Sequence, residues 1–393
     1  MPVNPDPAAV EQQASALLGA GKFEEAEGLL RVALASGTGP LLLWKLLAAA
    51  IRPQGKIGET RVIQEMIVAA SPGDLPARFD LSETLLLLGD FERGWREYRF
   101  RYNLAHTSTL DRKVQRPVWD GRPIPGRTLL IHDEQGYGDT FQFLRMTGWA
   151  KARSEARVIL EINAETAPLA RRFQGYDELT VRGALPPHFD VHCQMMSLPE
   201  IMGLKLTDLP GRVPYLSTDP ARVAIWTQRL AGLQRPLVAL TWAGRPTHPN
   251  DASRSMQLAT LAPLARTGAT FLAIQKGPAV TQAATAPEGM RILVLDAEIT
   301  DFEDTAAILT VADLLLSVDS SPVHLAGALG RPAWVMLPFV PDWRWLLGRS
   351  DSPWYPTLSL FRQSRRGDWE GVAEAVAQAL TAFAQDCRTQ AVP

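Results

Sequence analysis

Three stretches of the chain gather residue types that could do chemistry. The first is RTLLIHDEQGYGDTFQFLR (127–145), where an apolar run enters a polar turn and leaves on an amphipathic segment. Its glycines, Gly136 and Gly138, can adopt positive φ and admit a ligand close to the backbone. The turn lacks the Lys-Ser/Thr of a phosphate-binding loop, and GYGDTF is not a full dinucleotide fingerprint. Asp139, near the start of the following helix, has a plain structural reading as a cap that complements the helix dipole. The second stretch is SVDSSPVHLAGALG (317–330). Asp319 ends a strand there, and Ser320 and Ser321 precede Pro322, which suits the first position of a helix. A helix N-terminus flanked by hydroxyls is a ready anion site, and His324 lies within its first turn. A Ser–His–Asp nucleophile is a poor reading, because no nucleophile elbow is present. The plain alternative is a serine-capped helix with a packed histidine. The third stretch, WAGRPTHPNDASRSM (242–256), is a long polar loop carrying Arg245, His248 and Arg254, and FLAIQKGP (271–278) adds Gln275 and Lys276. Any one of these cations alone fits a solvated charge equally well. Together they set a carboxylate against an anion clamp. That arrangement suits transfer of a group from a phosphate leaving group to a hydroxyl, the carboxylate taking the proton and the clamp the departing charge.

These stretches need rigid elements to position them. From about residue 126 short apolar runs alternate with helical segments. TLLIHDE, RVILEIN, ELTVRG and FDVHCQM read as strands of a first series, with TFQFLRMTGWAKA and APLARRF as helices. PLVALTWAG, TFLAIQK, RILVLD, DLLLSVD and PAWVMLP read as strands of a second, with LAPLART, DTAAILTVA and PVHLAGALG as helices. Continuous apolar strands alternating with helices imply parallel sheets covered on both faces. The Pro-rich stretch PGRVPYLSTDPARV (210–223) reads as the linker between two such domains. Ligands of open α/β domains sit at the carboxyl ends of the strands. Gln135, Gly136, Gly138, Thr140, Trp242, Gly244 and His248 are therefore expected to line the cleft.

The first hundred residues differ. GKFEEA begins at Gly21, GKIGET at Gly55 and GDFERG at Gly89, each between two Leu/Ala-rich helical stretches. The spacing of 34 (55 − 21 and 89 − 55) and the helix–turn–helix units resemble tetratricopeptide repeats, although Arg52-Pro53 interrupts the second unit. Stacked repeats make a concave surface suited to a polypeptide, or else buttress the rest of the fold.

The totals bound the rest. The chain has 393 residues, enough for two or three domains, and a formal net charge of −2. No long basic stripe points to nucleic acid. The N-terminal residues lack the basic-then-apolar order of a signal peptide, and the longest apolar stretch, PLLLWKLLAAAI, is too short to span a bilayer and carries Lys45. Cys193 and Cys387 fit no metal or disulfide spacing. A cytoplasmic setting without a membrane span is expected.

EQGYGDTFQFLR, FDVHCQMMSLP, LTWAGRPTHPNDASRS, DFEDTAAIL, VDSSPVHLAGALG and above all LPFVPDWRWLLGRSDSPWYPTLSLFRQ with GDW resemble the bacterial tetratricopeptide-repeat glycosyltransferases. Their catalytic part is similar to heptosyltransferases of glycosyltransferase family 9. The resemblance covers nearly the whole chain. It implies helical repeats over 1–110, then a GT-B fold of two Rossmann-like domains, an acceptor side over 111–218 and a nucleotide-sugar side over 219–393. It also implies inverting, metal-independent sugar transfer from a UDP-, ADP-, GDP- or CMP-linked donor, with no bound cofactor. Asp139 would be the base. Arg254 would contact donor phosphate, and Asp319, Ser320 and His324 would hold the donor beside Gln275 and Lys276. Ser321 stands where the pattern has glycine. The acceptor would be a protein gripped by the repeats, flagellin being a candidate. A lipopolysaccharide-type acceptor and a repeat scaffold with an idle catalytic part are the alternatives. In PDWRWLLGRSDSPWYP, Trp343, Trp345 and Trp354 would either stack on a ligand, with Arg344 and Arg349 on acid groups, or pin the C-terminal crossover. Four tryptophans, counting Trp369, favour packing for most.

Overall fold

The structure, a computed structural model, describes residues 6–103 and 114–390. The expected boundary between 110 and 111 lies outside these residues. The chain forms two compact units. Unit one takes in the described residues within 1–112 together with Leu204–Leu206 and Phe339–Gly348. Unit two takes in the described residues of 113–203, then Thr207–Pro338, and those from Arg349 onward.

Unit one is built from helix pairs: α1 (Pro7–Gly19) with α2 (Phe23–Ala33), α3 (Leu41–Ile51) with α4 (Ile57–Ala70), and α5 (Leu75–Leu87) with α6 (Phe91–Tyr98). First helices begin 34 residues apart (41 − 7 and 75 − 41), and so do second helices (57 − 23 and 91 − 57). Gly21, Gly55 and Gly89 sit between the helices of each pair at φ of 71°, 78° and 82°. Only glycine takes that conformation without strain, which is why the same residue returns at that period. Asp74 and Asp90 cap α5 and α6 by accepting from Ala77 N at 3.1 Å and Arg93 N at 3.2 Å. Arg52-Pro53 shortens α3 and continues as a 3-10 turn over Arg52–Gln54. Ion pairs join successive pairs of helices: Lys56 to Glu27 at 2.6 Å, Arg31 to Glu59 at 2.7 Å and Arg93 to Glu65 at 2.6 Å. The last two are well exposed, so unit one owes its cohesion to the apolar seam of Ala14, Ala26, Leu30, Leu47, Ala50, Ile51 and Ile67. Trp343 packs edge-on against Trp95, ring centroids 5.2 Å apart, and against Tyr98 at 5.9 Å.

Unit two holds two sheets, and every strand pairing in them is parallel. The first contains β1 (Thr128–His132), β2 (Arg157–Ile162), β3 (Glu178–Val181) and β4 (Val191–Gln194) in the order β3-β2-β1-β4. Its helices are α7 (Tyr137–Phe143), α8 (Arg145–Ser154), α9 (Ala167–Ala170) and α10 (Leu198–Met202). The second begins after α11 (Pro220–Arg229). It contains β5 (Leu237–Thr241), β6 (Thr270–Ala273), β7 (Arg291–Val294), β8 (Leu314–Val318), β9 (Ala333–Leu337) and β10 (Leu358–Arg362), ordered β10-β9-β8-β5-β6-β7. Helices α12 (Asp251–Arg254), α13 (Phe302–Val311), α14 (Ser321–Ala328) and α15 (Trp369–Gln390) complete it. Each sheet winds outward in one direction and then restarts beside its first strand. This leaves a topological switch point between β1 and β4 in one sheet and between β5 and β8 in the other.

The mixed helical and parallel-sheet architecture with two sheets agrees with the sequence reading, and four local differences have physical causes. TFQFLRMTGWAKA forms two helices that break at Leu144. LAPLART lies in a 3-10 stretch, Leu258–Thr267, because Pro263 cannot donate the α-helical hydrogen bond. The stretch read as a linker ends inside α11, where Asp219 accepts from Ala221 N at 2.9 Å. The strand LSLFR was missed because it is an edge strand with Ser359 exposed, so its apolar run is broken. Among the described residues no helix is long and apolar enough to cross a membrane.

Helix contacts in unit one predict opposite outcomes for two glycine substitutions. A Cβ on Gly94 would meet Leu86 Cγ and Cδ2 at 2.7 Å, and Leu86 is fully buried, so Gly94→Ala should destabilise by about 1–3 kcal/mol. Gly58→Ala, in α4, meets nothing within 4 Å and should stabilise by about 0.5–1 kcal/mol. Urea unfolding of the full chain reads both.

Candidate active site

The turn after β1 is held by its own acids. Asp133, 2% exposed, accepts from Asn163 N at 2.8 Å, Asn163 Nδ2 at 2.7 Å and Thr140 Oγ1 at 3.4 Å, and forms an ion pair with Arg182. Burial pushes its carboxyl above the usual range, against the pull of Arg182. Glu134 accepts from Met196 N at 2.9 Å, tying this turn to the one after β4 at the switch point. Thr140 thus anchors Asp133 rather than facing a cleft. Asp139 does cap α7: its Oδ2 accepts from Gly136 N at 2.9 Å, and the side chain keeps partial exposure. Gln135 is likewise half-buried.

The second switch point is braced by hydroxyls. Thr241 at the end of β5 bonds to Ser317 at the end of β8, and Ser317 Oγ meets Ser320 Oγ at 3.0 Å. Ser320 stands at the N-cap position of α14 without a side-chain capping bond, and Ser321 opens the helix. Gln275 is wholly engaged with backbone. Its Oε1 accepts from Trp242 N and Ala243 N, both at 3.0 Å, and its Nε2 donates to Ala243 O at 3.0 Å and Lys276 O at 2.8 Å. Lys276 donates to Asp296 O at 2.7 Å and pairs with Asp296 at 3.0 Å. Both residues therefore shape the loops after β5 and β6. Trp242 lines nothing: it is completely buried in the core of the second sheet. His248 accepts from Asn250 N at 3.2 Å within its loop. At Gly244 the backbone lies so close to Arg254 that an added Cβ would sit 2.8 Å from Arg254 Nη2 and 2.6 Å from Asp251 Oδ1. Arg254 Nε lies 3.6 Å from Asp251 Oδ1, and Ser255 Oγ donates to that same oxygen while accepting from Gly244 N. Glycine at 244 is what lets the guanidinium fold back along the β5 loop.

The two halves of unit two meet at these turns. A Cβ on Gly138 would lie 2.8 Å from His324 Cδ2 and 3.5 Å from the Ser321 Cα. The space at Gly138 is therefore filled by the His324 imidazole, not left open for a ligand as the sequence suggested. His324 is 5% exposed; its Nε2 lies 4.0 Å from Asp319 Oδ1 and its Nδ1 lies 3.1 Å from the Tyr355 hydroxyl. Tyr137 packs edge-on against Phe302 at 5.0 Å. Burial pushes its hydroxyl up, Glu165 adds to that and the charge of Arg245 opposes it. Arg145 joins the halves from behind. It donates to Pro210 O at 2.7 Å and Trp354 O at 3.3 Å, and its guanidinium lies over the rings of Tyr215 (4.6 Å) and Tyr355 (5.0 Å). Arg145, Tyr215, Tyr355 and Tyr137 escaped the sequence reading because nothing local marks them. The tryptophans of the C-terminal segment are packing residues: Trp343, Trp345 and Trp354 are at most 2% exposed, and Trp369 lies against the second core. Arg344 and Arg349 pair with Asp342 and Asp351.

The structure thus brings together Gly138, Asp319, Ser321 and His324, with Asp139, Ser320, Arg245 and Arg254 in the turns at the same strand ends. That assembly sets a partly exposed carboxylate and a hydroxyl-bearing helix N-terminus at adjoining switch points. Among the described residues no group of three or more His, Cys, Asp or Glu side chains could hold a metal ion.

No family model matches the chain. Over 340 residues it is 28% identical to Protein FlbA of Caulobacter vibrioides; the match takes in 80% of this chain and 56% of FlbA, so the chain spans little more than half the length of that relative. Similar solved structures include glycosyltransferases. A glycosyl transferase family 9 protein of Veillonella parvula is 12% identical, covering 67% of this chain and 100% of that one, with a TM-score of 0.49. An O-GlcNAc transferase mutant of Thermobaculum terrenum is 14% identical, covering 96% of this chain and 92% of that one, with a TM-score of 0.32.

The Gly138–His324 contact predicts a coupled response. Gly138→Ala should cost about 1–3 kcal/mol of stability, because His324 is buried and bonded to Tyr355 and cannot step aside. In a His324→Ala background the same change should cost less than about 1 kcal/mol, a coupling read from a double-mutant cycle of urea unfolding.

Proposed function

We propose that the chain is a GT-B-type glycosyltransferase that moves a sugar, with inversion and without a metal, from a nucleotide-activated donor to a hydroxyl of a protein held by tetratricopeptide-like repeats in unit one. Flagellin is a candidate acceptor. The supporting observation is that the turns carrying the glycosyltransferase-like motifs sit at the two switch points and adjoin at Gly138 and His324. Open parallel sheets bind ligands at such points.

The chemistry follows from the groups present. The acceptor oxygen attacks the anomeric carbon, its proton passes to the Asp139 carboxylate, and the bond from that carbon to the phosphate oxygen breaks so that the nucleotide leaves. The hydrogen bond from Gly136 N aims Asp139 while leaving the side chain partly exposed. Arg254, the Ser320 and Ser321 hydroxyls and the α14 N-terminus take up the negative charge on the leaving phosphate. Asp319 and His324 form the wall beside them. A second reading, a scaffold whose cleft is idle, is favoured by one fact: Asp139, Gly138 and Gln275 each also serve the fold.

The test is a melting-temperature screen of the full chain against UDP-, ADP-, GDP- and CMP-sugars, followed by transfer of labelled sugar to purified flagellin. At least one donor should raise the melting temperature. Asp139→Asn should lower turnover about 10²–10⁴-fold with donor binding retained, and Arg254→Ala should weaken donor binding. Stabilisation by none of the donors would establish the scaffold instead.

A further inference from the structure

The contact between His324 and Tyr355 bears on where the imidazole keeps its proton. Both side chains are buried, Tyr355 completely. Tyr355 is held against α14: a Cβ on Gly327 would sit 2.4 Å from its ring carbons Cγ and Cδ1, so glycine is needed for the ring to lie there. Gly327 is about one turn along the helix from His324, on the same face. From that position the Tyr355 hydroxyl reaches His324 Nδ1 at 3.1 Å. The other ring nitrogen meets different neighbours. Nε2 lies 4.0 Å from Asp319 Oδ1 and would lie 3.6 Å from a Cβ on Gly138. A neutral imidazole has one N–H and one lone pair, and the partner of one nitrogen sets the role of the other.

We propose that Tyr355 is a positioning residue: its hydroxyl donates to His324 Nδ1 and so holds the imidazole proton on Nε2, at the junction of the Gly138 turn with Asp319. Charges at both ends favour this direction. Arg145, whose guanidinium lies 5.0 Å from the Tyr355 ring centroid, can only donate, so its charge draws the hydroxyl oxygen and turns the hydrogen toward His324. Burial pushes the Tyr355 hydroxyl well above its usual range, Tyr215 adding to this and Arg145 opposing it, so the proton stays on the oxygen. The neighbouring Tyr215 hydroxyl gives its own proton to Phe141 O at 2.7 Å. At the far end, the reverse direction would aim the Nε2 lone pair at the Asp319 carboxylate, two electron-rich groups 4.0 Å apart in a buried site. A ring protonated on both nitrogens would instead add a buried cation near Arg145, at a desolvation cost. His324 therefore offers the cleft an N–H, which attracts a phosphate oxygen where a lone pair would repel it. That last step rests on the sugar-transfer reading; the position of the proton does not.

The experiment labels the histidines of the full chain with ¹⁵N and reads their ring nitrogens by long-range ¹H–¹⁵N correlation at about pH 8, where an ordinary imidazole is neutral. His324→Gln identifies the His324 signals among the six histidines. Nδ1 should read as an unprotonated, hydrogen-bonded nitrogen and Nε2 as a protonated one. In Tyr355→Phe the Nδ1 signal should move, since that nitrogen loses its donor, and the Nδ1-protonated form should gain population. The same variant should weaken binding of whichever UDP-, ADP-, GDP- or CMP-sugar raises the melting temperature by about twofold to tenfold, the worth of one hydrogen bond. A proton on Nδ1 or on both nitrogens of the wild type, an unmoved Nδ1 signal in Tyr355→Phe, or unchanged donor affinity in that variant would overturn the proposal. The wild-type spectrum decides even where Tyr355→Phe does not fold. Failure of every sugar nucleotide to bind, with the ring nitrogens as stated, would sink the sugar-transfer reading and leave the proton assignment standing.

Discussion

The imidazole of His324 lying against the backbone of Gly138 sets the distance between the two sheets of unit two, and the rest of the cleft follows from it. The first turn of α14 can come within van der Waals contact of α7 only because residue 138 has no side chain. His324 cannot swing away, since its Nδ1 is engaged by the hydroxyl of Tyr355, a fully buried residue. Tyr355 in turn lies under the guanidinium of Arg145, which leaves the first half and grips the carbonyl of Pro210 in the connecting stretch and that of Trp354 in the second half. The contact is therefore backed by a chain of packed aromatic and cationic groups, and local strand-to-helix turns become parts of one rigid wall.

Within that wall the polar residues divide by burial. Asp133, Glu134, Thr140 and Gln275 face inward and spend their hydrogen-bonding capacity on neighbouring backbone and side chains. They fix the turns, and their cost of burial is offset by those partners. Asp139, Ser320, Ser321, Arg245 and Arg254 keep some exposure at the strand ends. A cap and a base are compatible roles for Asp139, because one carboxylate oxygen satisfies the helix and thereby fixes the direction of the other.

Much of this was legible in the sequence where one physical rule dominates locally. Continuous apolar runs marked the strands of both sheets, the partly exposed edge strands β3 and β7 included, and β10 escaped because Ser359 breaks its apolar run. Glycines at a period of 34 marked the helix turns because positive φ leaves few alternatives. The three chemistry-bearing turns were identifiable because Asp, Ser and Gly beside a helix start have few other uses. The division of labour within them was not legible. Whether Gln275 faces a ligand or the Trp242 amide, or whether Trp242 lines a cleft or fills a core, depends on the direction of side chains set by sheet register. Likewise Arg145 and Tyr355 lie far apart in sequence, and only the tertiary fold makes them partners of His324.

The segment after β9 shows how one stretch of chain serves two cores. Residues Phe339–Gly348 belong to unit one, where Trp343 completes an aromatic cluster with Trp95 and Tyr98. A few residues later the chain belongs to unit two, where Trp354 packs edge-on against Phe143 and Tyr355 holds His324. The density of tryptophan and tyrosine here has a physical cause. A short excursion with little regular structure has few backbone hydrogen bonds to hold it, so large rings that each bury 150–250 Å² must do so instead. Those rings are consequently unavailable to stack on a ligand. Any recognition by this segment then falls to the backbone and to Arg349, whose guanidinium keeps some exposure beside its Asp351 partner.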